Sequence, residues 1–414
     1  MLDLYSVSKE KVAPVLYCYV NWILEQARKR DLHTLYFLAR DGYVLKEIAE
    51  FICERQGWSI ECRYLYCSRA SLRMPIYYFI GNEAYDLIFA SGYHVTIKTF
   101  FDRIGMPDNE INIVLQETGL LGKVDVSAEL SEGEIADYKS KLCKSTYLNR
   151  FLKEKSQSAY PFAIEYFKQE ELFDKETVAI VDSGWTGSMQ RSLRQILEKE
   201  GWKGKLVGFY FGLYMEQRPE DGEYLTFYFD WNTDLQNKNL FCNNLFEIFL
   251  SAPHGMTIGY KKNEEKNIIE PIFQEDGQVN QNDKINEQIQ GIIDGIKNLN
   301  HQEETYDKRK CQAILRKMMG HPSAELVNLY GEFVFCDDIT EKYHFSLTET
   351  IQNNKIKELL LYRKIWVRLK KYKKIQYFWE YGEVALIKNP IRRIWYWINV
   401  YIWNCLRYSV EGSK

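Results

Sequence analysis

The 414-residue sequence lacks three features that would place it in a specialised class of protein. Its formal net charge is only −3, so no overall electrostatic field favours nucleic acid as a partner. It has no run of about 18 apolar residues of the kind that forms a membrane-spanning helix. Its nine cysteines include no Cys-x-x-Cys pair, so no spacing typical of a zinc site is present. Together with the absence of a secretion signal, the scattered cysteines predict reduced thiols and a cytoplasmic protein.

Short apolar runs alternate with helical patterns in two parts of the sequence, which is the pattern of an α/β sheet. The predicted elements are a helix over 10–30, a strand over 34–39, a turn over 40–42, a helix over 43–52, and strands over 63–67, 178–181 and 205–214. We therefore expect a Rossmann-like, mostly parallel sheet that binds its ligands beyond the carboxyl ends of the strands.

Composition divides the chain into four regions. Residues 1–75 and 176–260 carry the strand patterns and are predicted to form the α/β core. Residues 76–175 are helical in pattern and interrupt that core as an insertion, which could cover the site or receive an acceptor. Residues 261–350 are polar and mostly helical, and residues 351–414 are predicted to form a basic, aromatic, helical tail.

The first predicted strand ends in Arg40, Asp41 and Gly42. Gly42 lets the backbone bend tightly, and the amides of such a turn, together with Arg40, suit a phosphate or pyrophosphate. Asp41 could hold Mg²⁺ through its carboxylate. The same residues also fit a surface turn with a local ion pair.

The second strand ends at Ser68 and Arg69, and Arg73 follows one helical turn later. At this spacing the two arginines share one face of a helix, and their guanidinium groups fit phosphate oxygens. Alternatively, both arginines are solvated or pair with acids elsewhere in the chain.

The third segment, VAIVDSGWTGSMQ, spans residues 178–190 and runs from an apolar strand into a helix. Thr186, Gly187 and Ser188 lie where the helix is predicted to begin, so free N–H groups, two hydroxyls and the positive end of the helix dipole suit a phosphate monoester. Asp182, expected at the tip of the strand, could accept hydrogen bonds from sugar hydroxyls. A plain helix cap explains the hydroxyls but not the acid.

Because the three strand ends share one edge of the predicted sheet, together they describe a site for a sugar that carries a diphosphate and a monophosphate. Asp182 is expected to hold the sugar itself. The residues predicted to bind this substrate are Arg40, Asp41, Gly42, Ser68, Arg69, Arg73, Ser183, Gly184, Trp185, Thr186, Gly187 and Ser188.

Three motifs in this order, LYFLARDG, YLYCSR and VDSGWTGSMQ, resemble the phosphoribosyltransferase part of bacterial polysaccharide-synthesis proteins. In phosphoribosyltransferases a TG-containing turn holds the 5-phosphate of phosphoribosyl pyrophosphate (PRPP), the preceding acids hold the ribose hydroxyls, and an earlier loop holds the pyrophosphate. The resemblance covers residues 10–260 and implies a phosphoribosyltransferase-like fold with Mg²⁺ and PRPP. It also implies transfer of 5-phosphoribose to a hydroxyl of an O-antigen or capsule glycan, with inversion to a β-ribofuranoside 5-phosphate and release of pyrophosphate.

The sequence departs from that family in two ways. The usual signature has two adjacent acids, whereas here Asp182 stands between Val181 and Ser183, at the distance from the TG pair that suits the second acid. Such proteins are often fused to a HAD-type phosphatase, but this sequence has no DxDxT motif, and its nearest stretch, FDWNTD at 229–234, lacks the second acid. We therefore expect a separate HAD-type phosphatase to act on the product.

The resemblance implies a mechanism in which Arg40, Arg69, Arg73 and Mg²⁺ neutralise the leaving pyrophosphate while Asp182 lies near the developing cation. An acceptor hydroxyl also needs a base, or a leaving group that takes its proton. Glu247 lies in the apolar helical run NNLFEIFLSAPHG and is the candidate for a second catalytic residue. It could equally be the polar edge of a core helix.

Two other functions remain open. A HAD-type phosphohydrolase fits in that FLARDG and YLYCSR also end strands next to helices. A non-catalytic component that binds a phosphorylated sugar in a glycan assembly complex fits the loss of one signature acid.

Residues 355–408 interleave basic and aromatic side chains. At helical spacing, Ile391, Ile394, Trp395, Ile398 and Ile402 form an apolar face beside Arg392 and Arg393. Such a face suits the headgroup region of an anionic bilayer, and a lipid-linked glycan acceptor would place the enzyme at the inner face of the cytoplasmic membrane. The alternative is a helical subdomain that packs its aromatic residues inward. A nucleic-acid-binding patch fits less well because no recognisable binding module accompanies it.

Overall fold

The computed structural model contains a five-stranded, all-parallel sheet in the order β2-β1-β3-β4-β5, which confirms the α/β prediction. The structure describes residues 2–92, 94–274, 281–299, 308–336, 338–340, 344–348, 355–370 and 377–411. The strands of the sheet are β1 Thr34–Leu38, β2 Glu61–Leu65, β3 Thr177–Trp185, β4 Lys205–Leu213 and β5 Glu223–Phe229. Two antiparallel hairpins follow, β6 Thr257–Asn263 with β7 Ile268–Phe273, and β8 Val334–Phe335 with β9 Phe345–Ser346.

Helices surround the sheet and extend to the carboxyl end of the described chain. The first ten are α1 Leu4–Val7, α2 Ala13–Lys29, α3 Gly42–Gln56, α4 Arg69–Ile76, α5 Asn82–Ile88, α6 Ile97–Asp102, α7 Asp108–Glu117, α8 Glu132–Leu142, α9 Thr146–Gln169 and α10 Ser188–Lys199. The others are α11 Leu235–Leu240, α12 Asn243–Phe249, α13 Asn282–Asn298, α14 Lys308–Leu315, α15 Ala324–Tyr330, α16 Leu361–Lys370, α17 Glu380–Ala385 and α18 Pro390–Glu411. Short π-helical stretches join α1 to α2 and continue α14.

Alternate residues of the buried strands pack against helices on opposite faces of the sheet, as a doubly wound arrangement requires. On one face, Phe37 and Val181 pack with α2, α3 and helices from the carboxyl-terminal third of the chain. On the other, Tyr36 and Ile180 pack with α4, α9, α10 and the β6–β7 hairpin. Helices α5–α8 and the start of α9 enclose a separate apolar cluster.

The predicted strand and helix positions hold, but several boundaries differ and the structure contains further strands. Strand β3 does not stop before Asp182; it continues to Trp185, because Gly184 and Trp185 pair with β4. The fifth strand, β5, was not predicted, nor was the β6–β7 hairpin, so residues 268–273 of the segment predicted to be mostly helical are a strand. The local pattern does not reveal the hairpin, because Tyr260 and Ile269 pack against α9, which is distant in sequence. Residues 371–376 of the predicted basic tail lie outside the described residues.

Candidate functional site

The carboxyl ends of β1 and β3 lie side by side at the point where the strand order reverses. The chain builds outward from β1 through β2 on one side, and from β3 through β4 and β5 on the other. In open α/β sheets, ligands bind in the crevice beyond the strand ends at such a switch point. The residues after Leu38 and the second half of β3 therefore form the candidate site.

Two carboxylates, Asp41 and Asp182, lie close together in this crevice. The Ser183 hydroxyl donates a hydrogen bond to the Asp41 carboxylate, and the backbone N–H groups of Ser183 and Gly184 donate to Asp182. Burial raises the pKa of Asp182 well above its usual range, and the nearby Asp41 raises it further. Burial also raises the pKa of Asp41. Such a pair can share one proton or, when both are ionised, stabilise a positive charge beside it.

Glu247 reaches the same crevice from α12. That short helix buries four apolar side chains, and Glu247 is its half-buried acidic residue, which lines the cleft. Trp185 Nε1 donates a hydrogen bond to Glu247 Oε1 at 2.6 Å. The Glu247 charge also contributes to the raised pKa of Asp182. The structure therefore brings together three residues predicted from separate considerations.

The loop before α10 has the features of a phosphate site. No side chain caps α10, so the N–H groups of its first turn have no side-chain acceptor within the described protein. Gly187 has φ +63°, a left-handed conformation that favours glycine, and a Cβ there would lie 2.8 Å from the Tyr224 ring. Thr186 Oγ1 lies 3.2 Å from Ser188 Oγ, and Arg73 Nη2 lies 3.4 Å from the same hydroxyl. A cation, two hydroxyls and a helix N-terminus thus meet at one point.

The predicted arginines lie on the cationic side of the site. Burial is the main cause that lowers the pKa of Arg73 to about 10, and the neighbouring Arg69 contributes to this shift. The group is still charged at neutral pH. The guanidinium groups of Arg40 and Arg69 lower the pKa of Asp41, so both lie near that carboxylate. Arg40 also lines the cleft.

Gly42 begins α3 rather than completing a loose turn. A Cβ at this position would lie 2.6 Å from the backbone carbon of Phe37, so the glycine allows α3 to start directly against β1. The turn between strand and helix is therefore short and holds Arg40 and Asp41 at the strand end.

Ser68, predicted to bind substrate, caps a helix in the structure. Its buried hydroxyl accepts hydrogen bonds from the N–H groups of Ala70 and Ser71 and donates one to the carbonyl oxygen of Thr257 at 2.6 Å. These bonds cap α4 and fasten it to β6. The residue thus positions the helix that carries Arg69 and Arg73, and its hydroxyl is already engaged within the protein.

An open cleft adjoins the carboxylates of Asp41 and Glu247. Arg40, Asp41 and Glu247 form part of its lining, and a second part, which we call the second wall, comes from residues far along the chain: Gln281, Ile285, Phe333, Val334, Phe335, Cys336 and His344. None of the described lining residues belongs to the loop before α10, but Ser183 and Trp185 at the end of β3 hydrogen-bond to Asp41 and Glu247 of the lining. No motif marks the second wall, so sequence reasoning missed it.

Sequence reasoning also missed Tyr19, which fixes the backbone at the acid pair. Its buried hydroxyl lies 2.8 Å from the carbonyl oxygen of Asp182 and 3.1 Å from that of Phe209. Tyr19 belongs to the amphipathic face of α2, where an aromatic residue is indistinguishable by pattern from any other core residue. Its role appears only from the tertiary contact.

Among the described residues, no three His, Cys, Asp or Glu side chains are grouped closely enough to hold a metal ion. Mg²⁺ is commonly bound through one or two carboxylates, with substrate phosphates supplying the other oxygens. Asp41, with its carboxylate beside Arg40 and Arg69, fits that kind of shared binding.

The chain matches no model of a known protein family, and a search of curated proteins finds no significant match. The crevice geometry and the chemistry of its residues are therefore the guide to function. Those residues are two arginine-containing strand ends, a paired carboxylate and an uncapped helix start.

Proposed function

We propose that the protein is a PRPP-dependent glycosyltransferase that moves 5-phosphoribose to a hydroxyl group of a bacterial glycan. The observation that carries this proposal is the arrangement at the β1–β3 switch point. An uncapped helix start with Arg73 beside it follows the strand that carries Asp182, and Arg40 lies near the carboxylate of Asp41 after β1. A sugar with one phosphate at each end, and a ring that becomes positively charged between them, complements this arrangement.

Each part of PRPP has a place in this arrangement. The α10 loop would bind the 5-phosphate through backbone N–H groups, Thr186, Ser188 and Arg73. Asp182 would hold the ribose hydroxyls and stabilise the oxocarbenium-like charge. The turn after β1, with Arg40 and Asp41, would hold the pyrophosphate. Mg²⁺ bound jointly by the pyrophosphate and Asp41 would help neutralise the leaving charge.

The reaction requires one bond to form and one to break at the ribose C1 atom. The acceptor oxygen attacks from the face opposite the α-pyrophosphate, the C1–O bond to pyrophosphate breaks, and the configuration inverts to β. The hydroxyl proton passes to Glu247, which the Trp185 N–H holds in place. The product keeps its 5-phosphate, so a separate phosphatase would complete the ribofuranosyl group.

The second wall of the cleft is the proposed acceptor side. It combines the apolar side chains of Phe333, Val334 and Phe335 with the polar side chains of Gln281 and His344, in the same cleft as Glu247. Sugars are recognised by apolar faces together with a few hydrogen-bonding groups.

A phosphohydrolase is the second candidate, because Asp41 stands at the end of β1 beside an acid with a raised pKa. A carboxylate next to a proton donor could attack phosphorus and protonate the leaving oxygen. The distinction is which bond breaks. A transferase breaks the C1–O bond and releases pyrophosphate, whereas a hydrolase breaks a P–O bond and releases orthophosphate.

The two candidates are separated by the products of PRPP turnover. Purified protein is incubated with PRPP and Mg²⁺, and in parallel with p-nitrophenyl phosphate, while pyrophosphate and orthophosphate are measured separately. We expect slow release of pyrophosphate with water as the acceptor, and no phosphate from the generic monoester. Orthophosphate from either compound would favour the hydrolase, and PRPP binding without turnover would favour a phosphosugar-binding component.

The variant Glu247→Gln tests the base within the same assay. It is expected to slow pyrophosphate release by about 100-fold with little change in the KM for PRPP, because the residue acts on the acceptor and not on the donor. Trp185→Phe keeps the carboxylate but removes its hydrogen bond, so it should lower the rate less than Glu247→Gln does. A Glu247→Gln enzyme with the wild-type rate would exclude this role.

A further inference from the structure

Helix α18 presents two different faces. On its inner face, Tyr396, Val400 and Trp403 are buried. Trp397 Nε1 donates to the carbonyl oxygen of Gly320 at 2.8 Å, and Asn239 Nδ2 donates to that of Tyr401 at 3.0 Å. These contacts fasten the helix to the rest of the molecule, so its orientation is fixed by packing.

The outer face of α18 is apolar and exposed. Its six residues recur every three or four positions and form one stripe along the helix, which we call the outer stripe. They are Ile391, Ile394, Trp395, Ile398, Ile402 and Leu406, with exposed fractions of 78%, 61%, 59%, 39%, 40% and 47%. A contiguous apolar surface of this kind marks an interaction site.

A second helix extends this surface. The N–H of Leu361 in α16 donates to Asn399 Oδ1 of α18 at 3.0 Å, so the two helices lie side by side. Tyr362 and Trp366 of α16 are 61% and 45% exposed. Aromatic side chains with a polar tip are favoured where an apolar phase meets water.

The charge around the outer stripe is positive. Residues 384–410 contain Lys388, Arg392, Arg393 and Arg407 and no acidic residue. Lys388, Arg392 and Arg393 are exposed at the amino-terminal end of the stripe. The chain as a whole is slightly acidic, so this concentration of basic charge is local.

We propose that α18 and α16 dock the protein on an anionic lipid bilayer, with the outer stripe inserted among the acyl chains and the arginines at the headgroups. None of the described helices is long and apolar enough to cross a membrane, and α18 fits the pattern of a helix that lies in the interface plane. A second copy of the chain fits this face less well, because a symmetric dimer would place identical basic surfaces against each other. The inference does not depend on the function proposed above.

The test is sedimentation of the full-length protein with vesicles of phosphatidylcholine alone or of an equimolar mixture with phosphatidylglycerol. We expect binding to the anionic vesicles that weakens as salt is added, and little binding to the neutral ones. Arg392→Gln with Arg393→Gln should weaken binding by about five-fold for each charge removed. Ile394→Ser with Trp395→Ser should remove most of the binding at any salt concentration.

The matched control is Ile113→Ser, which removes a comparably exposed isoleucine from α7. It should bind vesicles as the wild type does. Calorimetric titration of the stripe variants with PRPP separates the two proposals, because variants that no longer bind vesicles should still bind PRPP. Equal binding to both kinds of vesicle, no binding to either, or a concentration-dependent dimer that the stripe variants abolish would overturn the proposal.

Discussion

Replacing Asp182 by asparagine is expected to abolish transfer and at the same time to make the protein more stable. The substitution removes the charge proposed to stabilise the ribose cation, and electrostatic losses of this kind cost about 1,000-fold in rate. It also removes a buried acid whose pKa is raised by burial and by Asp41. The asparagine oxygen can still accept the backbone hydrogen bonds of Ser183 and Gly184.

The gain in stability should depend on pH. Because the pKa of Asp182 is higher in the folded than in the unfolded protein, the folded state holds its proton longer. The free energy of unfolding of the wild type therefore falls as the pH rises from about 4, the unfolded value, through the folded pKa. The variant lacks this decline, so its advantage should be small in acid and should reach a plateau above the folded pKa. For a chain of 414 residues, each kcal/mol corresponds to about 1 °C in Tm.

Glu170→Gln is the matched control for that experiment. Burial also raises the pKa of Glu170, but this residue adjoins Arg63 and does not line the cleft. It should gain stability with the same sign of pH dependence while transfer continues at the wild-type rate. A transfer-competent Asp182→Asn protein would reduce Asp182 to a structural acid, and a scaffold function would survive the substitution.

Arg73 and Arg40 are expected to recognise opposite ends of the donor. Arg73→Met should weaken binding of ribose 5-phosphate by about 30-fold and leave inorganic pyrophosphate with Mg²⁺ unaffected, because one charged hydrogen-bond donor to the monoester is lost. Arg40→Met should have the reverse effect. Both are measured by calorimetric titration of the two fragments. Methionine retains much of the side-chain volume, so the packing around α4 is preserved.

The control for this pair is Arg194→Met, farther along α10, where the arginine pairs with Glu198 at 2.7 Å. It should bind both fragments as the wild type does. A loss of both fragments in each variant would mean that the two arginines serve one anion subsite. That result would leave the 5-phosphate without its proposed site.

The strands at the centre of the sheet were predictable because they are buried on both faces and read as apolar runs. The run Val178–Val181 is of this kind, and the polar residues after it identified the site edge. The predicted end of the strand at Asp182 was less accurate, because β3 continues for three residues beyond it through pairing with β4. A pairing partner elsewhere in the chain cannot be read from the local pattern.

Residues that act through distant contacts were not predictable. The cleft wall at Phe333–Cys336 is more than 80 residues from Glu247 in sequence, and only folding brings the two together. Ser68 shows a different difficulty. A serine at a strand end fits a ligand site and a helix cap equally well, so the sequence could not show that its hydroxyl caps α4. For the tail, the sequence allowed either a membrane-facing surface or an inward-packing subdomain. The structure has residues of both kinds, since Trp379 is buried and Trp395 is exposed.

The most direct measurement is calorimetric titration of PRPP with Mg²⁺ into the purified protein, repeated with Asp182→Asn and Arg69→Ala. We predict saturable binding with a stoichiometry of one, weakened by both substitutions, since Asp182 would hold the ribose and Arg69 lies beside Asp41 at the pyrophosphate end. The absence of binding at millimolar PRPP would contradict the account. The α10 loop would then be a helix start without a ligand.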